Sequence, residues 1–176
     1  MAKSKIEKEL TMERKNASLL MDDAEIKKAE DFCKGYMEFM AAAKTEREIN
    51  IFAIEKAKKA GFKEFHFGDK LKAGDKIYYD NRGKSVIMAV IGSEPIANGV
   101  NLTAAHIDSP RLDLKQIPMY ETDELCYFRT HYYGGIKKYQ WVTIPLELHG
   151  VVALKSGELV DVRIGREPGD PRFVIT

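Results

Sequence analysis

A histidine and an aspartate two residues apart are the side chains best suited to chemistry in this sequence. His106 and Asp108 lie in the stretch Asn101-Leu-Thr-Ala-Ala-His-Ile-Asp-Ser-Pro110. A neutral imidazole binds Zn²⁺ through one ring nitrogen. A carboxylate that accepts the N–H of the other nitrogen fixes the tautomer and makes the imidazole a better ligand. The pair therefore has the composition of one corner of a metal centre.

The spacing of the pair is weak information by itself. A histidine and an acid separated by one residue occur together often by chance. A histidine at the end of a strand can also bond a nearby acid simply for local order. On spacing alone, this structural role is favoured over metal binding, and the surrounding sequence has to decide.

The neighbouring pattern places the pair at the edge of a predicted sheet. Residues 86–91 are apolar at every position, as in strands buried on both faces of an α/β sheet. We expect the next strand over residues 100–107, so that His106 and Asp108 share one face. Pro110, which lacks a backbone donor, would end it. The carboxyl ends of strands are where open α/β sheets bind ligands.

Before the sheet, the pattern is helical. Apolar residues at steps of three and four predict an amphipathic helix from Asp23. A second helix is predicted from Thr45, which forms a capping box with Glu48, to a C-cap at Gly61. Two β-rich runs on either side of Asn81-Arg-Gly predict a hairpin.

From about Arg111 onward the pattern is all-β. Strand candidates are residues 112–117, 125–133, 141–154 and 159–164, with a turn at 155–158. The sequence thus predicts the α/β class: residues 1–112 form part of a mixed-sheet domain, and residues 113–176 begin a β-rich domain. The final run, Phe-Val-Ile-Thr, is apolar and extended, which favours a truncated domain.

Composition excludes several classes of function. The 28 basic and 27 acidic residues give a net charge of +1, so no charge bias indicates binding to nucleic acid or to an anionic membrane. The N-terminal ten residues lack the apolar core of a signal peptide, and no apolar run is long enough to span a bilayer. Cys33 and Cys126 are far apart and favour a reducing compartment. We expect a cytoplasmic protein without nucleic-acid or membrane partners.

Several segments resemble the aspartyl aminopeptidase family of zinc metallopeptidases, and the resemblance runs from about residue 25 to Thr176. The segment around the pair, Ala104-Ala-His-Ile-Asp-Ser-Pro-Arg-Leu-Asp-Leu-Lys115, is similar to the family's first metal-binding segment. Three further segments match the family in the same order: Tyr78-Tyr-Asp-Asn-Arg-Gly-Lys-Ser-Val-Ile87, Tyr133-Gly-Gly-Ile-Lys-Lys-Tyr-Gln-Trp141 and Leu148-His-Gly-Val-Val-Ala-Leu154.

This resemblance implies roles for both residues. His106 would ligate one metal of a two-zinc centre, with cobalt or manganese as possible replacements, and Asp108 would orient it. The family's bridging aspartate, glutamate pair, further acid and second histidine have no match after Asp108. We therefore expect the 176-residue chain to be inactive alone. The complete enzyme would remove N-terminal residues from peptides by means of a metal-activated water, with one of the glutamates as general base. It would form a large homo-oligomer, a dodecamer by resemblance.

Two other hypotheses remain open. The β-rich part is also expected to mediate oligomer contacts or substrate access, so the chain could be a non-catalytic assembly module or an inactive fragment. A small enzyme with a mononuclear site built from His106, His131 and His149 is less favoured. His66, His131 and His149 have no predicted partner at ligand spacing, so we expect each to be a surface or strand-face residue.

Overall fold

The computed structural model describes residues 4–12 and 14–176, which divide into two compact units. The division falls between Ala41 and Ala42. The helices are α1 (Lys5–Leu10), α2 (Asp23–Ala42), α3 (Glu46–Lys59) and α4 (Lys138–Trp141), and short 3₁₀ turns cover Ala17–Leu19 and Ile96–Asn98. The strands are β1 (Lys63–Glu64), β2 (Lys76–Asn81), β3 (Ser85–Val90), β4 (Arg111–Thr122), β5 (Leu125–Tyr133), β6 (Leu148–Ala153) and β7 (Leu159–Ile164). No helix among the described residues is both long and apolar enough to cross a bilayer.

The first unit consists mainly of α2, which begins where the sequence predicts. Asp22 accepts a hydrogen bond from the Glu25 N–H at 2.8 Å, and Glu25 in turn accepts from the Asp22 N–H at 3.2 Å. This reciprocal pair satisfies two backbone donors that a helix start leaves free. The predicted apolar stripe is present but open to solvent, with Tyr36 55% and Met40 46% exposed.

Helix α3 has both predicted ends. Thr45 and Glu48 form the capping box, with Glu48 N–H donating to Thr45 Oγ1 at 3.3 Å. At the other end, Gly61 has a φ of 85°, and the Phe62 N–H donates to the Ala57 carbonyl. This is the Schellman arrangement, in which a left-handed glycine allows the last carbonyls to be satisfied.

The sheet beside α3 is mixed, as the predicted fold class requires. β1 pairs parallel to β2, and β2 pairs antiparallel to β3 through the predicted hairpin. Arg82 and Gly83 both have positive φ, as in the turns that match the twist of a hairpin. Tyr78 on β2 and Ala57 on α3 are among the few fully buried residues.

The prediction that residues 86–91 are buried on both faces is wrong. Ile87 is 65% exposed and Val90 is 61% exposed. β3 packs against β2 and α3 in the described part of the chain, so a strand with apolar residues on both faces has only part of its surface covered.

The later strands form two separate antiparallel hairpins, β4–β5 and β6–β7. β4 continues beyond the predicted end, and its ladder has a register shift between Leu114 and Met119. That irregularity contains Pro118, a residue that a regular ladder excludes. The predicted boundary between residues 112 and 113 stays a prediction.

The predicted strand over residues 141–154 is wrong in its first part. Trp141 ends the one-turn helix α4, and the strand begins only at Leu148. Pro145 explains the difference, since it has no N–H to donate to a ladder. The predicted turn at 155–158 is confirmed by a hydrogen bond from the Leu154 N–H to the Glu158 carbonyl at 2.8 Å.

After β7 the chain makes a tight loop. The Asp170 carboxylate accepts hydrogen bonds from the N–H groups of Gly165, Arg166 and Glu167 at 2.8, 3.1 and 3.0 Å. These bonds hold the pKa of Asp170 below its usual range. Gly165, with a φ of 114°, lies so close to Leu146 that a Cβ there would be 3.0 Å from its carbonyl oxygen.

Candidate metal centre

The segment that carries His106 and Asp108 is an irregular stretch. The predicted strand over residues 100–107 is wrong, because residues 99–110 form no ladder with any other described segment. Leu102 is 84% exposed, as expected of a stretch without a paired neighbour. His106 and Asp108 therefore do not share a strand face.

His106 and Asp108 are nevertheless in contact within this irregular stretch. His106 Nδ1 lies 2.9 Å from the Asp108 carbonyl oxygen and 3.2 Å from Asp108 Oδ1. A carbonyl and an ionised carboxylate can only accept, so Nδ1 must carry the proton. The imidazole is 82% exposed, and the two contacts described for it both use Nδ1. The lone pair of Nε2 then faces outward, in the tautomer that binds a metal.

Tyr133 supports this arrangement from the end of β5. The interaction of its hydroxyl with the Asp108 carboxyl holds the pKa of that carboxyl below its usual range and raises the pKa of Tyr133. The smaller effect of His106 on Asp108 acts in the same direction. Tyr133 was not predicted as a site residue, since it lies 25 positions after Asp108 in the sequence.

Arg111 fixes the position of Tyr133. The two residues are opposite partners in the β4–β5 ladder, and the guanidinium carbon lies 4.2 Å from the centre of the Tyr133 ring. Arg111 Nε donates to Asp113 at 2.8 Å, while Nη1 is 3.9 Å from Glu46, within ion-pair range but too far for a hydrogen bond. Burial alone would lower the pKa of Arg111, but these two carboxylates raise it.

A second histidine has more contacts than the first. His149 Nδ1 is 2.9 Å from Glu48 Oε1, and its Nε2 is 2.8 Å from Glu147 Oε2. The imidazole is only 12% exposed and the Glu48 carboxylate 11%. Arg163 Nε lies 3.2 Å from the same Glu48 oxygen. We call Glu48, Glu147, His149 and Arg163 the His149 cluster.

The expectation that His149 has no partner at ligand spacing is wrong. Glu147 precedes it by two residues, which is the same separation as that of His106 and Asp108. The sequence contained this signal. Glu48, by contrast, is 101 positions away and was assigned only a capping role.

The remaining histidines are surface residues, as predicted. His131 is exposed and stacks on Tyr132, with ring centres 5.8 Å apart. His66 is 74% exposed and lies 3.9 Å from Asp69. Across residues 4–12 and 14–176, no three His, Cys, Asp or Glu side chains converge in a way that could hold a metal ion. The two carboxylates in the His149 cluster contact opposite nitrogens of the ring, so the three groups do not converge.

The zinc that the resemblance implies can be tested against these donors. Zn²⁺ takes imidazole nitrogen and carboxylate oxygen as ligands, and four-coordinate sites are the norm. His106 fits as one such ligand, because its metal-binding nitrogen is exposed and its other nitrogen is engaged. Among the described residues, His106 belongs to no group of three or more such donors that could hold a metal ion.

Comparison with known proteins identifies the family. Residues 39–175 match the family model described as aminopeptidase I zinc metalloprotease (M18). The chain is 47% identical over 164 residues to a probable M18 family aminopeptidase 1 of Borrelia garinii, and 46% identical over 172 residues to one of Clostridium acetobutylicum. These matches cover 93% and 96% of this chain but only 36% and 37% of the relatives.

A solved structure agrees with the sequence relatives. The crystal structure of aminopeptidase I from Borrelia burgdorferi matches with a TM-score of 0.85 and 46% identity, over 92% of this chain and 40% of that one. The resemblance found in the sequence and the α/β fold class are thus confirmed. The chain spans little more than a third of the length of these relatives, and it belongs to the M18 family of zinc metallopeptidases.

Proposed function

We propose that this chain contributes His106 to the two-zinc centre of an aminopeptidase, with Asp108 as the acid that orients it. The observation that carries the proposal is the state of the His106 ring. Nδ1 is held by Asp108 and Nε2 is left exposed, which is the arrangement of a metal-ligating histidine with its supporting carboxylate. Membership of a zinc metalloprotease family supports the same assignment.

Each of the chain's own residues has a definite part. His106 would hold the metal through Nε2. Asp108 keeps the proton on Nδ1, and the Tyr133 hydroxyl favours the ionised form of Asp108. Arg111 lies over the Tyr133 ring and holds it against β4. When bound, zinc polarises a peptide carbonyl and lowers the pKa of a water molecule; cobalt and manganese can act in the same way.

The remaining ligands and the general base belong to other residues of the complete centre. One imidazole cannot close a four-coordinate site, and no cluster of metal-binding side chains occurs among the described residues. We therefore infer that the 176-residue chain has no peptidase activity alone. The substrates of the complete enzyme would be peptides with a free N-terminus.

The same proposal extends to assembly and location. Apolar side chains on β3 and β4 are exposed, including Ile87 at 65%, Ile117 at 87% and Met119 at 64%. Such surfaces are typical of protein interfaces, and they support a homo-oligomer, a dodecamer by resemblance to the family. Cys33 and Cys126 are both free, which is in keeping with a reducing cytoplasm.

The test of the metal assignment uses a protein that carries this chain together with the rest of the family's length. His106→Ala should remove the one zinc ion that His106 ligates and so lower the zinc content by about half, as measured by mass spectrometry of the desalted protein, and should abolish hydrolysis of an aminoacyl-p-nitroanilide. Asp108→Ala should weaken zinc binding by about 10- to 100-fold. His131→Ala is the matched control and should retain zinc. Unchanged zinc content in His106→Ala would contradict the assignment.

A non-catalytic assembly role is favoured by one observation, the exposed apolar surface of β4. Light scattering of the 176-residue chain, together with a zinc-dependent peptidase assay, separates the two functions. Stable oligomers without turnover would support an assembly role for this part of the protein. Substantial turnover by the chain alone would overturn the inference that its site is incomplete.

A further inference from the structure

The His149 cluster has a charge arrangement that one proton controls. His149 lies between two carboxylates, Glu48 on α3 and Glu147 just before β6, at 2.9 and 2.8 Å. Neither carboxylate can donate when ionised, so both ring nitrogens must carry protons for both contacts to be hydrogen bonds. The cluster therefore requires the imidazolium form of His149. A neutral ring would leave one nitrogen lone pair facing a carboxylate.

The surrounding charges balance only when His149 is protonated. Arg163 on β7 is the direct ladder partner of His149, and its Nε lies 3.2 Å from Glu48. Two cations then face two anions. Removing one proton leaves an uncompensated negative charge where His149 and Glu48 are nearly buried, at 12% and 11% exposed. Charged groups in such surroundings are costly unless paired.

The cluster attaches the β6–β7 hairpin to one end of α3. Glu48 also accepts hydrogen bonds from the N–H groups of Lys44 and Thr45 at 2.8 and 3.1 Å, so its position is fixed by the capping box. Of the two partners of His149, one thus belongs to the start of the helix and one to the start of the hairpin.

The same end of α3 also contacts the segment that follows His106. Ser109 Oγ donates to the Lys44 carbonyl at 3.4 Å, and Arg111 Nη1 lies 3.9 Å from Glu46. Residues 44–48 therefore contact the segment 109–111 as well as the hairpin. If the β6–β7 hairpin detaches, residues 44–48 lose one of these two sets of contacts.

We propose that His149 is a proton-controlled clasp that holds the β6–β7 hairpin on the N-terminal turn of α3. With the imidazolium present, the hairpin is attached through both carboxylates. When the proton is lost as pH rises, the contact with one carboxylate becomes repulsive and the hairpin opens more often. This inference concerns the fold of the chain and does not depend on the proposed metal centre.

The test is amide hydrogen exchange of the 176-residue chain at pH 6.0 and pH 8.5, corrected for the intrinsic effect of pH on exchange. Protection of β6, β7 and the first turn of α3 should fall by about tenfold at the higher pH, the effect expected from loss of one charge-assisted hydrogen bond. Protection of the β2–β3 hairpin should change much less. Equal protection of β6–β7 at both pH values would overturn the proposal.

Glu147→Gln isolates the proton as the cause. An amide at this position can donate to the Nε2 lone pair of a neutral ring while Nδ1–H donates to Glu48, so both contacts survive without the imidazolium. The variant should keep the hairpin protected at both pH values. If it shows the wild-type loss of protection, the clasp is not controlled by His149.

Two histidine variants complete the experiment. His149→Gln should give low protection of β6–β7 at both pH values, and His131→Gln should behave as the wild type. If His131→Gln removes the pH dependence, the controlling proton lies elsewhere and the proposal fails. The Glu147→Gln result decides the question even if His149→Gln does not fold.

Discussion

His106 and His149 both lie beside a carboxylate two residues away, yet the structure gives them different roles. His106 is 82% exposed and engages one ring nitrogen, whereas His149 is 12% exposed and engages both. A histidine that keeps one nitrogen available can accept a metal, while a histidine with two carboxylate partners can only hold structure together. The two histidines differ in whether the second ring nitrogen has a hydrogen-bond partner, and this depends on residues that are distant in the sequence.

Of the variants that test this difference between the two histidines, Glu48→Gln is expected to have the largest effect on stability. This change weakens the contacts with His149 and Arg163 and part of the helix cap. We expect the free energy of unfolding to fall by about 2–3 kcal/mol, as for loss of a largely buried charged partner. Chemical denaturation of the 176-residue chain measures it. Glu55→Gln, on an exposed position of the same helix, is the control and should have almost no effect.

The stability of the chain at acid pH should depend on the same carboxylate, Glu48. Burial alone would raise the pKa of Glu48, but hydrogen bonds from His149 and from the Lys44 N–H lower it below its ordinary value. A lowered pKa stabilises the folded state above the unfolded pKa, and this contribution is lost as pH falls through the folded value. Stability of the wild type should therefore decline below about pH 4.3 more steeply than that of Glu48→Gln. Parallel acid curves would show that Glu48 does not stabilise the fold through its charge.

Tyr133→Phe tests the surroundings of His106 through its neighbour Asp108. The tyrosine hydroxyl is the main cause of the low pKa of Asp108, so its removal should raise that pKa towards the ordinary range. Carbon-detected NMR titration of the Asp108 carboxyl measures the change. Tyr132→Phe, on the neighbouring position of β5, should leave the Asp108 titration unchanged. An unaltered Asp108 titration in Tyr133→Phe would show that Tyr133 does not influence Asp108.

The smallest effect is expected from His106→Ala on stability. The ring is exposed and makes only local contacts, so the free energy of unfolding of the metal-free chain should change by less than about 0.5 kcal/mol. His149→Ala, measured beside it, should cost several times more. Equal costs would mean that the two histidines do not differ as their exposure indicates.

Local hydrogen bonds account for most of what the sequence could predict. The Thr45 capping box, the Gly61 C-cap and the β2–β3 turn all join residues within five positions of one another, so their residue types suffice. The pair of His106 and Asp108 was found for the same reason. The contact itself forms in an irregular stretch and not in a strand, since the predicted ladder over residues 100–107 is missing from the described structure.

Long-range contacts account for most of what the sequence could not predict. Glu48 and His149 are 101 residues apart, and no periodic pattern relates them. Asn50 on α3 is a similar case. It is only 1% exposed, and its side-chain amide donates a hydrogen bond to Asp80 on β2 at 2.8 Å. An asparagine inside a helix predicts an exposed residue, and only the approach of β2 makes it a buried one.

The bare backbone at Gly165 has a consequence for charge. A Cβ there would lie 3.3 Å from the Cα of Glu147, the residue whose carboxylate reaches His149. Any side chain at position 165 would have to push that stretch of backbone aside, and the carboxylate would move with it. The electrostatic behaviour of His149 therefore depends on an uncharged residue sixteen positions further along the chain. A mutation that adds a single methyl group could change how the protein responds to pH without altering one ionisable group.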